Sequence, residues 1–265
     1  MGKNIRWLIV VLALIALAAI AYFAARRPAS APPPRQPAVA PSPPAPPAEP
    51  AIRHPVERQP QEKPLPALAA SDAVIGEALS SLWNAKTLEQ FFIVRDFVRR
   101  VVATIDNLPR QKLALRLLPV KTVGGKFLTA GKGDELTIAP DNAARYAPYV
   151  RLAEAVDAQK LAALYFRFYP LFQEAYLELG YPKAYFNDRL VEVIDHLLAT
   201  PEPQTPPRLI QPKVFHLYAD PGQEARSAGQ KILMRIGNDN AARIKAKLRE
   251  IRGEVTRQAP LSQQK

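Results

Sequence analysis

Asp157-Ala158-Gln159-Lys160-Leu161-Ala162-Ala163-Leu164-Tyr165-Phe166-Arg167-Phe168-Tyr169-Pro170-Leu171-Phe172-Gln173-Glu174-Ala175-Tyr176-Leu177-Glu178-Leu179-Gly180 is the stretch on which the fold turns. Asp at the front supplies a side-chain acceptor for the orphan N–H groups of a first helical turn. Gly at the back tolerates the left-handed conformation that closes a helix. Between them Leu161, Leu164, Phe168, Phe172, Ala175 and Leu179 recur at helical spacing, which predicts one long helix with an apolar face.

Outward from it the signals stay helical. A helix is expected from about Ala184 to Ala199, stopped by Pro201, Pro203, Pro206 and Pro207. Ala225–Ile236 and Asn240–Val255 read as a final helical pair split by Gly237. On the other side, Asp141-Asn142 opens a helix toward Val156 that Pro148 shortens or bends. Thr87 with Gln90 reads as a capping box for a long helix through Val98 and Val102 to Ile105, ended by Leu108-Pro109. Ser71-Asp72 reads as the cap of a helix running to about Asn84. Only Leu113–Val120 and Lys126–Ile138 are strand-like, and Gly124-Gly125 and Gly131-Lys132-Gly133 are turn signals beside them. The expectation is a mainly α fold: a single helical domain over residues 67–257 with a small β-hairpin insertion, followed by a disordered tail over 258–265.

The first quarter of the chain is different. Trp7–Ala25 is an unbroken apolar run, close to the ~20 residues a helix needs to cross ~30 Å of hydrocarbon. Trp7, Tyr22 and Phe23 fit the aromatic belt of a membrane interface. A cleaved signal would have a shorter apolar centre, so residues 1–27 are expected to stay as one transmembrane anchor. Lys3 and Arg6 nearly balance Arg26 and Arg27, and the short N-terminal tail favours the arrangement with the N-terminus in the cytoplasm and the body exported. Residues 28–66 are mainly Pro and Ala with scattered charges. Pro lacks a backbone donor and fixes φ, so this tract is expected to be a disordered spacer; fully extended it reaches ~120 Å at ~3.1 Å per residue. The chain has no cysteine, which excludes thiolate catalysis, thiolate zinc sites and iron–sulfur clusters. The expected location is a bacterial inner membrane, single-pass, with the domain on the periplasmic side.

Catalytic motifs are missing. There is no Gly-x-Gly-x-x-Gly after a strand, no Gly-x-Ser-x-Gly and no His-Glu-x-x-His, and Gly125–Lys132 has the wrong spacing for a phosphate loop. With His54 in the spacer, only His196 and His216 remain in the domain. Three candidate surfaces are left. Asp188, Glu192 and Asp195 fall at i, i+4 and i+7 on one helix face, flanked by Asn187, Arg189 and His196; this pattern suits a divalent cation, a paired-carboxylate glycan site, or simply a solvated acidic face. Aromatics from Tyr165 to Phe186 occupy too many helix faces for all to be core, so Tyr169, Tyr181 and Tyr185 are candidates for a groove that stacks on sugar or peptide. On the last helix Ile244, Leu248, Ile251 and Val255 make an apolar seam with a basic stripe of Lys245, Arg249 and Arg252 beside it. From Leu68 onward 28 basic residues stand against 21 acidic, and from Gln223 to Arg257 nine stand against four. That excess suits anionic lipid, wall polymer or an acidic protein, whereas nucleic acid is not expected outside the cell membrane. No cofactor or metal is expected.

Several short segments carry a family likeness: Ala143-Ala144-Arg145-Tyr146-Ala147-Pro148-Tyr149, Tyr169-Pro170-Leu171-Phe172-Gln173-Glu174-Ala175-Tyr176, Gly180-Tyr181-Pro182, Tyr185-Phe186-Asn187-Asp188-Arg189 and Val193-Ile194-Asp195-His196-Leu197-Leu198. Gln211-Pro212-Lys213, Ser227-Ala228-Gly229-Gln230-Lys231 and Asn240-Ala241-Ala242-Arg243 complete the pattern. Together they resemble the bacterial membrane-anchored family catalogued as domain of unknown function 3014. The resemblance implies an envelope location and a single domain, and it carries no assigned activity, cofactor or catalytic residue. The expected function is therefore that of a single-pass membrane protein whose exported domain binds another envelope component, more an interaction protein than an enzyme. The alternative is a domain that binds or cleaves cell-wall glycan through the carboxylates of Asp188–Asp195.

Overall fold

A computed structural model describes residues 51–57 and 64–257. Nine α-helices occur among the described residues: α1 (Asp72–Leu79), α2 (Ala85–Phe91), α3 (Phe97–Asn107), α4 (Ala147–Ala155), α5 (Ala158–Glu178), α6 (Phe186–Leu198), α7 (Pro221–Glu224), α8 (Ala228–Arg235) and α9 (Asn238–Thr256). Four two-residue strands form two antiparallel hairpins, β1 (Thr129–Ala130) with β2 (Thr137–Ile138) and β3 (Leu209–Ile210) with β4 (Leu217–Tyr218). The domain is mainly helical, as its periodicity implies. Among the described residues no helix is long and apolar enough to cross a membrane. The anchor expected over Trp7–Ala25 lies outside the described residues, as do most of the spacer and the C-terminal tail.

The long central helix forms where its end signals stand. The Asp157 carboxylate accepts the Lys160 N–H at 2.9 Å, and Gly180 takes φ 97°, which an L side chain adopts only with strain. Pro170 lies inside α5 with its ring toward solvent, so the helix runs through it with one backbone bond missing. Helix α5 carries the core: Tyr165, Phe168, Tyr169, Leu171, Phe172, Ala175 and Tyr176 are buried. Phe168 and Phe186 are fully buried, each worth roughly 1.5–3 kcal/mol against the exposed state. Helix α9 packs across α4, α5 and α6, and α3 crosses α5 and α6. A second cluster joins Val193 and Leu197 of α6 to Leu233, Ile236 and Ala241. There Gly229 is required by close approach: a Cβ would stand 2.5 Å from Leu197 Cδ2 and 3.1 Å from Leu108 O.

Three expectations need correction. The helix expected from Thr87 to Ile105 is two, broken at Phe92–Asp96. Asn84, not Thr87, caps α2 by accepting the Thr87 N–H at 2.9 Å. Ile93 N–H donates to Pro119 O and Lys121 N–H to Phe91 O, so a short antiparallel contact replaces helical bonds at the break. Asp96 is left-handed at φ 53°, and the start of α3 is capped from a distance by Asp72, which accepts from Asp96 N and Phe97 N. Second, Leu113–Val120 is not a strand. It is a turn around Leu115–Leu117 whose carbonyls are held by α3, with Arg100 donating to Arg116 O and Leu118 O and Thr104 to Leu117 O. Third, the proline-rich connection after α6 contains an unexpected hairpin, β3–β4, which joins the first through a bridge between Thr137 and Arg208.

Candidate functional site

The carboxylates of α6 do not form one site. Asp188 accepts the backbone N–H groups of Arg53 (3.0 Å) and His54 (2.7 Å). Glu192 pairs with Arg189 at 2.9 Å. Asp195 takes a two-pronged contact from Arg252 of α9, at 2.5 and 2.9 Å, and the Arg252 hydrogen bond holds its carboxyl below the usual range. Arg189 turns inward to the buried Asp106 at 3.1 Å. His196 Nε2 lies 2.8 Å from Ser227 Oγ, the hydroxyl that caps α8. Each group is engaged on a different element, and among the described residues no three His, Cys, Asp or Glu side chains are placed to hold a metal.

The candidate aromatic groove is occupied by the protein itself. Tyr169 is buried against Tyr165 and Tyr185, and burial pushes its hydroxyl far above the ordinary tyrosine range. Tyr185 accepts the Val56 N–H at 2.6 Å, and Tyr181 donates to Asp106 at 3.2 Å. Residues 51–57, assigned by sequence to the spacer, lie over this face as a strap. Its backbone donors meet Asp188 and Tyr185, and the His54 carbonyl accepts from Asn187 Nδ2 at 3.0 Å. The strap's hydrogen bonds are made by its backbone and need no apolar periodicity, and Val56 packs against the main core beside them.

The basic stripe also divides. Lys245 is only 4 % exposed; its ammonium donates to Thr200 O at 2.6 Å and to Glu202 at 2.7 Å. Arg252 is committed to Asp195, and Arg243 to Glu154 of α4. Arg249 alone of the three stripe residues stays exposed.

An open concavity lies elsewhere. A cleft of about 990 Å³ is lined by residues 111–113 and 115, by Lys126 and Phe127, by the β3–β4 loop from Val214 to Leu217, and by Ala228, Lys231, Ile232 and Arg235 of α8. Helix α8 is set against the segment that follows α3 by Ala228 N–H and Gly229 N–H, which donate to Arg110 O and Leu108 O. Its rim is apolar and exposed: Leu115 is 63 %, Val214 78 % and Phe215 79 % accessible. Its charges are positive apart from Glu224. That carboxyl is held below its usual range although burial opposes the charge, because Lys231 (2.7 Å) and the Tyr218 N–H (2.9 Å) donate to it. Arg235 lies over the Tyr218 ring and donates to His216 O at 3.2 Å. A smaller cleft of about 290 Å³ runs between Pro203–Pro207 and the start of α9. None of Asp188, Glu192, Asp195, Tyr169, Tyr181 or Tyr185 lines either cleft.

Sequence reasoning passed over this cleft, although a signal was present. From Asn107 to Gly133 there are six basic residues and no acidic one, and from Pro203 to Ala219 two basic and no acidic. Both segments contribute to the cleft. A family profile described as Protein of unknown function (DUF3014) matches residues 97–252. No curated protein and no solved structure matches the chain.

Proposed function

We propose, since the chain belongs to the DUF3014 family of proteins of unknown function, that its helical domain is a non-enzymatic binding module. An N-terminal anchor, inside-facing at its tip, holds it on the outer side of the inner membrane, and it engages another envelope component. The apolar run Trp7–Ala25 and the proline-rich tract behind it support the tethered arrangement. The single observation that carries the binding role is the cleft beside α8, whose lining includes the exposed apolar residues Leu115, Val214 and Phe215 together with Lys112, Lys126 and Lys231. Exposed apolar surface rimmed by polar groups marks interaction sites. The glycan-cleaving reading has no comparable support, because Asp188 and Asp195 are bound to the strap and to Arg252.

A photo-activatable residue placed at Phe215 in the full chain, irradiated in intact cells, tests the assignment. The expected result is a defined adduct that the double substitution Lys112→Glu/Lys126→Glu suppresses, with none from the same probe at Arg249. Adducts from Arg249 but none from Phe215 would move the binding face to α9.

A further inference from the structure

The chemistry around the cleft identifies the component more narrowly. Three loops reach it: Lys112, Leu113 and Leu115 line it from one, Lys126 and Phe127 from a second, and Val214 and Phe215 from a third, with Lys213 immediately before Val214 in the chain. Among the described residues the ammonium groups of Lys112, Lys126 and Lys213 have no hydrogen bond or ion pair. Of their basic neighbours, Arg110 is used on Asp106, Lys121 on Glu89 O and Arg208 on Asp134 O. Unpaired ammonium groups therefore stand beside the exposed apolar side chains of the cleft. The carboxylate among the lining residues, Glu224, is paired with Lys231.

Resting on the binding role proposed above, we infer that this rim is a contact site for an anionic lipid bilayer surface. A peptide groove keeps its apolar groups in the floor. Here the lining also includes Leu113, Phe127, Leu217 and Ile232, but the most exposed apolar side chains, Val214 and Phe215, stand at a hairpin tip. A planar interface meets such tips first. The Phe215 ring suits the headgroup level, where aromatic side chains concentrate. The flanking lysines meet the negative surface, each worth about fivefold in partitioning, so the three together give about 100-fold. A stretch as long as residues 28–50 allows contact with the membrane that holds the proposed anchor, since a chain of that length can extend to roughly 70 Å.

Because the chain has no cysteine, Phe215→Cys gives a unique attachment point for an environment-sensitive fluorophore on an exposed side chain. The full chain is reconstituted in vesicles of phosphatidylcholine with 30 mol % phosphatidylglycerol, and separately in phosphatidylcholine alone. Spin-labelled lipid is then used as quencher. The expected result is a blue-shifted probe quenched by lipid only in the anionic vesicles. Quenching is lost in the triple variant Lys112→Glu/Lys126→Glu/Lys213→Glu and in high salt, and is absent for the same probe at Arg249→Cys. A probe at position 215 that stays unquenched in anionic vesicles, or quenches equally in neutral ones, overturns the lipid assignment. An unquenched probe together with a charge-sensitive protein adduct from position 215 in cells would overturn the lipid assignment alone and replace it with an acidic protein segment in the same cleft. Loss of both signals would overturn the binding role as well.

Discussion

Asn187→Ala is the substitution whose cost the structure sets most tightly. Asn187 is fully buried at the start of α6. Its Nδ2 donates to Val255 O and to His54 O, each at 3.0 Å, and its Oδ1 accepts from the Tyr165 hydroxyl at 3.1 Å. Val255 lies in the last turn of α9, where carbonyls have no partner within the helix. One amide therefore caps α9, satisfies a buried tyrosine on α5 and fastens the strap. The alanine variant leaves the Tyr165 hydroxyl and the Val255 carbonyl without partners in the interior, at roughly 1–3 kcal/mol each, while the His54 carbonyl turns to water. The expected loss is about 3 kcal/mol, or about 10 °C in a domain of this size. Asn187→Asp should be at least as damaging, because it sets a carboxylate oxygen against two carbonyls. Urea unfolding followed by near-UV circular dichroism measures both. A loss below about 0.5 kcal/mol for alanine, within the range of ordinary surface changes, would refute the claim that this amide joins three elements.

Other outcomes follow from the same packing. Asp188→Ala should free the strap and expose Arg53 to trypsin, with a stability loss of about 1 kcal/mol or less; unchanged cleavage would mean that the strap is held by something else. Gly229→Val should destabilise by more than about 2 kcal/mol because a Cβ meets both Leu197 and the Leu108 carbonyl, and a neutral result by calorimetry would show that α8 shifts freely. Lys245→Ala should cost about 2 kcal/mol, since it leaves the Thr200 carbonyl buried without its donor, whereas Arg249→Ala should fall within ~0.5 kcal/mol. Hydrogen bonds from Arg243, Arg99 and Arg252 hold Glu154, Glu178 and Asp195 below their ordinary values of 4.5, 4.5 and 3.8. Their contribution is complete above those values and is lost as pH falls through the lower folded ones. The urea midpoint should therefore be flat from neutrality down to about pH 5 and decline below 4.5; a decline starting near pH 6 would point to a histidine instead.

The sequence makes legible what local chemistry decides. Asp157 and Gly180 delimit α5 within two residues because a cap and a left-handed stop act on their own turn. The break before α3 has no such mark. Phe92, Ile93 and Val94 continue the apolar pattern, and the helix stops because Pro119 and Lys121, far along the chain, take over its backbone bonds. Aromatic density around α6 signals core correctly for Tyr165 and Phe186. It does not reveal that Tyr169 and Tyr185 are covered, since the strap over them lies in a proline-rich tract with no periodicity to read. Charge counting over the last helix finds an excess, yet composition does not see the partners that α4, α6 and the Thr200–Glu202 turn supply to Arg243, Arg252 and Lys245. The acid-free loops, by contrast, have little opposing charge nearby, and their excess survives folding.

The most direct test of the cleft as the binding face is thiol protection in cells. Single cysteines at Leu115, Val214 and Phe215, and at Ala246 and Arg249 as references, are labelled in the full chain, in intact cells and after purification in detergent. The account predicts that the three cleft positions are slowed in cells relative to the purified chain while the two references label alike in both. Full labelling at the cleft in cells, with protection at Ala246 and Arg249 instead, would contradict it.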